Sequence, residues 1–155
     1  NAEQWFVSNE VKLKELQEVR YCIEPYAAKL AAIRRSDESV IFLRKNLDDF
    51  KDAYNEKKQI ELTKLEKDFH FTIIRESGNQ LFVSIFKQIE SMFQIYSSRS
   101  FTLNESIIHT IEEHTRIYNA IAEGDPEKAG LEMLNHLNIA NEKITQTIGT
   151  KSSNL

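Results

Sequence analysis

The sequence has few of the residues that interrupt helices, with 4 Gly and 2 Pro among its 155 residues. It is instead rich in Glu, Lys, Leu, Ile and Ala, which favour helices. Hydrophobic residues make up 41% and charged residues 28%, which is enough for the core of one domain in a chain of this length. We therefore predict a single all-α domain.

Other absences narrow the class of protein. Cys22 is the only cysteine, so no internal disulfide can form, which fits a reducing cytoplasm. The sequence has no run of about 18 apolar residues and no signal-peptide pattern, so we expect neither a membrane span nor secretion. The net charge of −4 gives no bulk attraction to nucleic acid. We expect a cytoplasmic protein.

The chain divides into a short start, one domain and a tail. It begins with Asn1-Ala2 rather than Met, so we expect a truncated chain with a tag remnant and an irregular linker at 1–9. Residues 10–148 are predicted to form the domain, and residues 149–155 a flexible tail. Apolar residues recur every three or four positions and predict helices at about 10–35, 37–56, 59–77, 80–97, 104–123 and 126–148.

Local features modify this pattern. Pro25 removes a helical hydrogen bond and should kink or split the first helix, giving six or seven helices in an antiparallel bundle. The polar run at 97–100 predicts the end of the fourth helix. That helix is apolar over so much of its circumference that we expect burial on two sides, as a central helix or beneath a second subunit. Capping patterns at Ser36 and Asp125-Pro126 predict helix starts.

The third helix carries a candidate metal-binding pair. Glu66 and His70 are four residues apart, about one turn, so both side chains project from the same face. His114 on the fifth helix and His136 on the sixth fall on the apolar faces of those helices. Three imidazoles and one carboxylate suit Zn, Ni, Mn or Fe, and helix bundles commonly hold metal ions between facing helices. This set is therefore a candidate site for a divalent metal ion.

Other interpretations of these residues remain open. The histidines can be hydrogen-bonded core residues that form, with Glu66, a polar network without metal, and Glu66 and His70 can also be a surface ion pair. A metalloenzyme would use the same ligands, but it needs a general base, and the sequence places no second carboxylate beside the site. His109 and Asp68 lie about 140° and 200° around their helices from the site, so we expect both on the surface.

Six segments, taken in order, form a set of motifs. They are Glu24-Pro25-x-Ala27-Ala28-x-Leu30-Ala31-Ala32, Glu66-x-x-Phe69-His70, Ser77-Gly78-Asn79-x-Leu81, Glu113-His114-x-x-Ile117-x-x-Ala120-Ile121, Gly124-Asp125-x-x-x-Ala129 and Met133-x-x-His136-Leu137. Together they resemble the FCD domain, the C-terminal, ligand-sensing domain of FadR-subfamily GntR transcription regulators. The resemblance covers residues 10–145.

The resemblance implies a metal site and its ligands. In the metal-binding branch of the family, the ligands are an acidic residue, the histidine four later, the histidine of the Glu-His motif and a histidine in the last helix. These correspond to Glu66, His70, His114 and His136, and they would bind a divalent ion such as Zn, Ni or Mn. The usual acid is Asp, and Glu66 is one methylene longer, so we expect the ion to shift or to be held less tightly.

The resemblance also implies partners. Family members form homodimers, bind DNA through a winged helix-turn-helix placed before this domain, and often bind small carboxylates beside the metal. Arg20, in the apolar stripe of the first helix, and Arg99 are candidate effector contacts. The alternatives are a buried ion pair of Arg20 with Glu24 and a solvated loop for Arg99. We expect a regulator rather than an enzyme, with a helical-bundle metalloenzyme as the alternative.

Overall fold

The fold is that of a computed structural model, which describes the backbone of residues 2–100 and 104–152 and the side chains of residues 13–95, 97, 98 and 107–142. Within these ranges the chain is helical and contains no strand, which confirms the predicted all-α bundle. The helices are α1 (Ala2–Arg34), α2 (Asp37–Asn55), α3 (Gln59–Glu76), α4 (Gln80–Ser100), α5 (Asn104–Glu123) and α6 (Pro126–Ser152).

Capping residues set several of these boundaries. The Ser36 hydroxyl and the Asp125 carboxylate each accept a hydrogen bond from the backbone N–H three residues later, at 3.1 and 3.0 Å. Pro126 then occupies the first position of α6, where its missing N–H is not needed. Gly78 and Gly124 have φ values of +68° and +74°, the left-handed conformation that ends a helix. The predicted starts at Ser36 and Asp125 are confirmed.

Some boundaries differ from those predicted. Pro25 lies inside α1 and does not split it, because it removes a single hydrogen bond from a helix that is packed on both sides of it. The bundle therefore has six helices in its described part. α1 starts at Ala2, well ahead of residue 10, and α6 continues to Ser152, beyond residue 148. Neither stretch contains a proline that would stop a helix.

α1 occupies the central position, which was one of the two positions expected for α4. It packs against α3, α4, α5 and α6, and its small buried residues Ala28, Ala31 and Ala32 allow close approach. α4 buries Phe93 but leaves Leu81 73% exposed, so α4 is not the central helix of this chain. The other expected arrangement, in which a second subunit covers α4, stays a prediction. None of the described helices has a stretch both long and apolar enough to span a bilayer.

Candidate metal centre

Three helices bring four of the predicted residues together in the interior. Glu66 and His70 project from one face of α3, His114 comes from α5, and His136 comes from α6. All four are buried, and each offers a ligand atom within 4.8 Å of the others. The chain separates His70 from His136 by 66 residues, so only the fold brings them together. The result is a buried cluster that could hold a metal ion.

The spacing of the ligand atoms suits one ion. His70 Nε2 lies 3.2 Å from His136 Nε2 and 3.3 Å from Glu66 Oε1. His114 Nε2 lies 3.3 Å from Glu66 Oε2. Bonds of about 2.1 Å to a central ion place neighbouring ligand atoms about 3.0–3.4 Å apart in octahedral or tetrahedral geometry. The donor set therefore fits a transition-metal ion in chemistry, and these three pairs fit it in spacing, while His136 Nε2 lies 3.8 Å from Glu66 Oε1.

Two of the imidazoles are hydrogen-bonded to carboxylates through their outer nitrogens. His70 Nδ1 lies 2.6 Å from Glu24 Oε2, and His136 Nδ1 lies 2.6 Å from Glu113 Oε2. An ionised carboxylate only accepts hydrogen bonds, so each Nδ1 carries a proton and donates it. The two Nε2 atoms then face each other at 3.2 Å, and a cation has to lie between their lone pairs. That cation can be either a proton or a metal ion.

The other half of the cluster also bears on the choice between a proton and a metal ion. His114 Nε2 and Glu66 Oε2 are 3.3 Å apart but form no hydrogen bond, with each other or with any other group. His114 Nδ1 also has no partner, and the ring stacks on Phe69 with the centroids 4.0 Å apart. Buried polar atoms without partners each destabilise a fold by about 1–3 kcal/mol. One ion would satisfy His114 Nε2 and Glu66 Oε2 together with the histidine pair, which one proton cannot do.

The protonation states also suit metal binding. Burial lowers the pKa of His114 and of His136 to about 3, so both imidazoles are neutral at pH 7. Burial raises the pKa of Glu66, but the imidazoles of His114 and His70 outweigh this and hold that pKa well below its usual range. Neutral imidazole and ionised carboxylate are the forms that bind metal ions.

Arg20 reaches the cluster through Glu24. Its Nε donates to Glu24 Oε1 at 2.6 Å, and its guanidinium lies over the ring of Phe93, 4.4 Å from the centroid. Burial raises the pKa of Glu24, but Arg20 and His70 outweigh this and hold it at about 2. Burial lowers the pKa of His70, but the Glu24 carboxylate outweighs this and the net shift is upward. The buried ion pair with Glu24 is therefore present, and an effector contact of Arg20 stays a prediction.

The other residues singled out in the sequence lie apart from the cluster. The side chain of Arg99 is outside the described residues, so its effector contact also stays a prediction. His109 is exposed, as predicted, and its Nδ1 lies 3.7 Å from Glu112 Oε2. Asp68 is half-buried rather than exposed and lies 3.7 Å from Lys67, because α4 packs along that part of α3.

Two buried carboxylates beside the cluster, and one buried amide elsewhere on α1, were not predicted as part of the site. The expectation that no second carboxylate lies beside the site is wrong, since Glu24 and Glu113 both contact it. The sequence did contain a signal for both carboxylates. Glu24 lies seven residues before Ala31 and Glu113 four before Ile117, so helical periodicity places both on buried faces. Gln17 is buried on α1, and neither its amide nitrogen nor its amide oxygen has a partner.

Comparisons with known proteins identify relatives. Residues 15–139 match the FCD domain family. HTH-type transcriptional regulator LutR of Bacillus subtilis (strain 168) is 31% identical over 135 residues, which cover 81% of this chain and 58% of LutR. The uncharacterized HTH-type transcriptional regulator YcbG of the same organism is 26% identical over 144 residues, covering 90% of this chain and 57% of YcbG. The solved structure of Streptococcus agalactiae GntR matches with a TM-score of 0.73 and 26% identity, covering 84% of this chain and 58% of that one.

The chain belongs to the FCD domain family, the effector-binding domain of GntR-family transcription regulators. Members of this family are regulators rather than enzymes, so the metalloenzyme alternative is not supported. GntR-family regulators bind DNA through an N-terminal domain and respond to small-molecule effectors. The present chain spans 57–58% of the length of the relatives it matches.

Proposed function

We propose that this chain is the metal-dependent, effector-sensing domain of a bacterial GntR-type regulator. Glu66, His70, His114 and His136 would bind one divalent ion, with Zn, Ni and Mn as the candidates. The observation that carries the proposal is the convergence of four buried ligand atoms within 4.8 Å, including two that have no hydrogen-bond partner. The bound ion would supply open coordination positions for an effector's oxygen atoms.

We further propose that the effector is a small carboxylate bound at or beside the ion. Carboxylate oxygens suit the positions that four protein ligands leave open on a five- or six-coordinate ion. Arg20 brings a cation to the same region, and Gln17 lies three residues before it on the same face of α1. The buried amide of Gln17 offers one donor and one acceptor group, both without a partner. A second polar group on the effector would pair with this amide.

Assembly and DNA binding complete the proposed function. Tyr26 on α1 and Leu81 and Ile85 on α4 are 55%, 73% and 37% exposed, and Tyr26 contacts Phe82 edge-on at 6.4 Å. Exposed apolar residues that adjoin across two helices favour an interface, and we propose a second copy of the chain as its partner. In the cytoplasm, effector binding would shift the arrangement of the N-terminal winged helix-turn-helix domains that contact DNA.

Elemental analysis of protein purified without added metal tests the metal site. We expect close to one divalent ion per chain, because the four ligands are buried and hold one ion between them. Removing the ion with a chelator and restoring zinc at about 100 times its Kd should change the free energy of unfolding by about 2.7 kcal/mol. If Zn, Ni and Mn neither bind nor stabilise the protein, the buried polar network is the correct interpretation.

A panel of small carboxylates, added to the metal-loaded protein, tests the sensor role. We expect at least one of them to raise the melting temperature, and to raise it less after the metal is removed, because it would bind at the ion. Neutral amides of the same skeletons serve as controls. Equal stabilisation by acids and amides, or none by any acid, would contradict a carboxylate effector.

Gln17→Leu should separate effector binding from stability. We expect the free energy of unfolding of the ligand-free protein to rise by about 1 kcal/mol, because leucine removes two unpaired polar groups from a site beside Leu13 and Leu16. The thermal shift caused by the most effective carboxylate should fall, while zinc affinity stays unchanged. The exposed Gln88→Leu is the matched control on α4. An undiminished carboxylate response in Gln17→Leu would exclude this contact.

A further inference from the structure

The three imidazoles of the proposed metal centre differ in what holds them. His70 and His136 each place Nδ1 2.6 Å from a buried carboxylate oxygen, from Glu24 and Glu113 respectively. His114 has no hydrogen-bond partner at either nitrogen. The two carboxylates are 1% and 4% exposed, so both hydrogen bonds are shielded from water. Two imidazoles are thus oriented by charge-assisted hydrogen bonds, and the third only by packing.

A carboxylate on the outer nitrogen changes an imidazole in two ways. It fixes the proton on Nδ1, which leaves the lone pair on Nε2, and it makes that lone pair a stronger donor to a metal ion. The same contact also fixes the rotation of the ring. In His70 and His136 the Nε2 atoms carry these lone pairs, and the two Nε2 atoms lie 3.2 Å apart in the cluster.

We infer that Glu24 and Glu113 are positioning residues of the metal centre, which hold His70 and His136 with Nε2 lone pairs aimed at the ion. The inference rests on the proposed metal site and adds two residues to it, from α1 and α5. Glu24 is itself held by Arg20, whose Nε and one terminal nitrogen lie 2.6 and 3.4 Å from its two oxygens. A guanidinium on α1 is thus connected to a ligand on α3.

A purely structural role predicts something different. If Glu24 and Glu113 only completed buried ion pairs, replacing them would lower stability and leave the metal affinity of the folded protein unchanged. If they position the ligands, a neutral replacement of the same shape weakens metal binding even where the fold is retained. His114 is the internal comparison, because its ring is placed by stacking on Phe69 rather than by a carboxylate.

Zinc affinity of Glu24→Gln and Glu113→Gln, measured by competition with a chromophoric chelator, tests the inference. We expect each variant to bind zinc about 10–100-fold more weakly than the wild type. Glu112→Gln is the matched control, since Glu112 adjoins Glu113 but is exposed and lies 3.7 Å from His109. Unchanged zinc affinity in both variants, with a wild type that binds zinc, would overturn the inference.

Nitrogen-15 NMR of the histidine rings tests the positioning without metal. In the metal-free wild type we expect slowly exchanging, hydrogen-bonded Nδ1–H signals from His70 and His136. Glu24→Gln should remove the slow exchange at His70 alone, and Glu113→Gln at His136 alone. A wild type that binds no zinc but shows both signals would contradict the proposed function and leave the positioning intact. A wild type without Nδ1–H signals at these rings would overturn the positioning.

Aspartate variants cover the case in which a glutamine variant does not fold. Glu113→Asp and Glu24→Asp keep the negative charge but withdraw it by one methylene, so we expect a folded protein whose zinc affinity lies between those of wild type and glutamine variant. The absorption spectrum of the cobalt-loaded protein reports the ligand geometry directly. An aspartate variant with wild-type zinc affinity and a wild-type cobalt spectrum would contradict the inference.

Discussion

Replacing His114 with leucine is expected to abolish tight metal binding and to leave the fold at least as stable as before. The two ring nitrogens of His114 have no hydrogen-bond partners, so the substitution breaks no hydrogen bond and removes buried polar atoms. Leucine is close to histidine in volume and packs against Phe69 and Phe50, which now contact the imidazole. Zinc affinity should fall by more than about 100-fold, since loss of an outer partner alone weakens binding about 10–100-fold.

The other two histidines make less decisive targets. Truncating His70 or His136 also removes the Nδ1–H that donates to the buried carboxylate of Glu24 or Glu113, so stability and metal affinity would fall together. His114→Leu avoids this ambiguity, because metal affinity and stability of the metal-free protein are expected to change in opposite directions.

Zinc titration followed by chemical unfolding with and without zinc measures both quantities. His109→Leu is the matched control on the same helix: His109 is exposed, so its replacement should leave zinc affinity unchanged. His114→Leu that retains wild-type zinc affinity would exclude His114 as a ligand. A metal-free variant less stable than wild type by more than about 2 kcal/mol would show that the ring is needed for packing.

The residues of the cluster could be found in the sequence because helical periodicity shows which face of each helix is buried. Glu66 and His70 share one face by their four-residue spacing, and His114 and His136 fall among apolar residues of two other helices. Most polar residues on buried faces have hydrogen-bond partners in the interior. Periodicity does not show which helices adjoin, and the family resemblance supplied that part.

The partners of the histidines could not be found in this way. Glu24 lies 46 residues from His70, and Glu113 lies 23 residues from His136, so the contacts depend on how the helices rotate and slide against each other. A carboxylate on a buried face indicates that a partner exists, without naming it. The unpaired amide of Gln17 is still harder to predict, because burial without any partner is visible only in the packed structure.

The end of α4 differs from the predicted one because serine side chains there form hydrogen bonds to carbonyl groups of their own helix. The run at 97–100 predicted a break, but the Ser97 hydroxyl donates to the carbonyl of Phe93 at 3.0 Å and the Ser98 hydroxyl to that of Ile95 at 2.9 Å. Serine hydroxyls satisfied in this way are compatible with a continuous helix, so α4 extends to Ser100. Composition alone does not distinguish such serines from those of a loop.

Phe93→Ala is expected to lower the free energy of unfolding by about 3–5 kcal/mol. The Phe93 side chain is fully buried, and its ring contacts different groups on its two sides. On one side the guanidinium of Arg20 lies 4.4 Å from the ring centroid, and on the other Phe86 packs with its centroid 5.4 Å away. The ring centroid of His70 is 5.3 Å from that of Phe93 as well, so truncation opens a cavity directly against the cluster of Glu66 and the three histidines. Chemical unfolding of metal-free protein measures the loss.

Two further variants separate the contributions of Phe93. Phe42→Ala is the control for phenylalanine truncation, since Phe42 is 43% exposed and should change the free energy of unfolding by less than about 1 kcal/mol. Phe93→Leu keeps most of the apolar volume but removes the cation–π contact with Arg20, and should cost about 1–2 kcal/mol. Arg20 donates a hydrogen bond to Glu24, and Glu24 accepts one from His70. A guanidinium that is less firmly positioned in Phe93→Leu should therefore also weaken zinc binding. Wild-type zinc affinity in that variant would mean that Arg20 does not depend on Phe93 for its position.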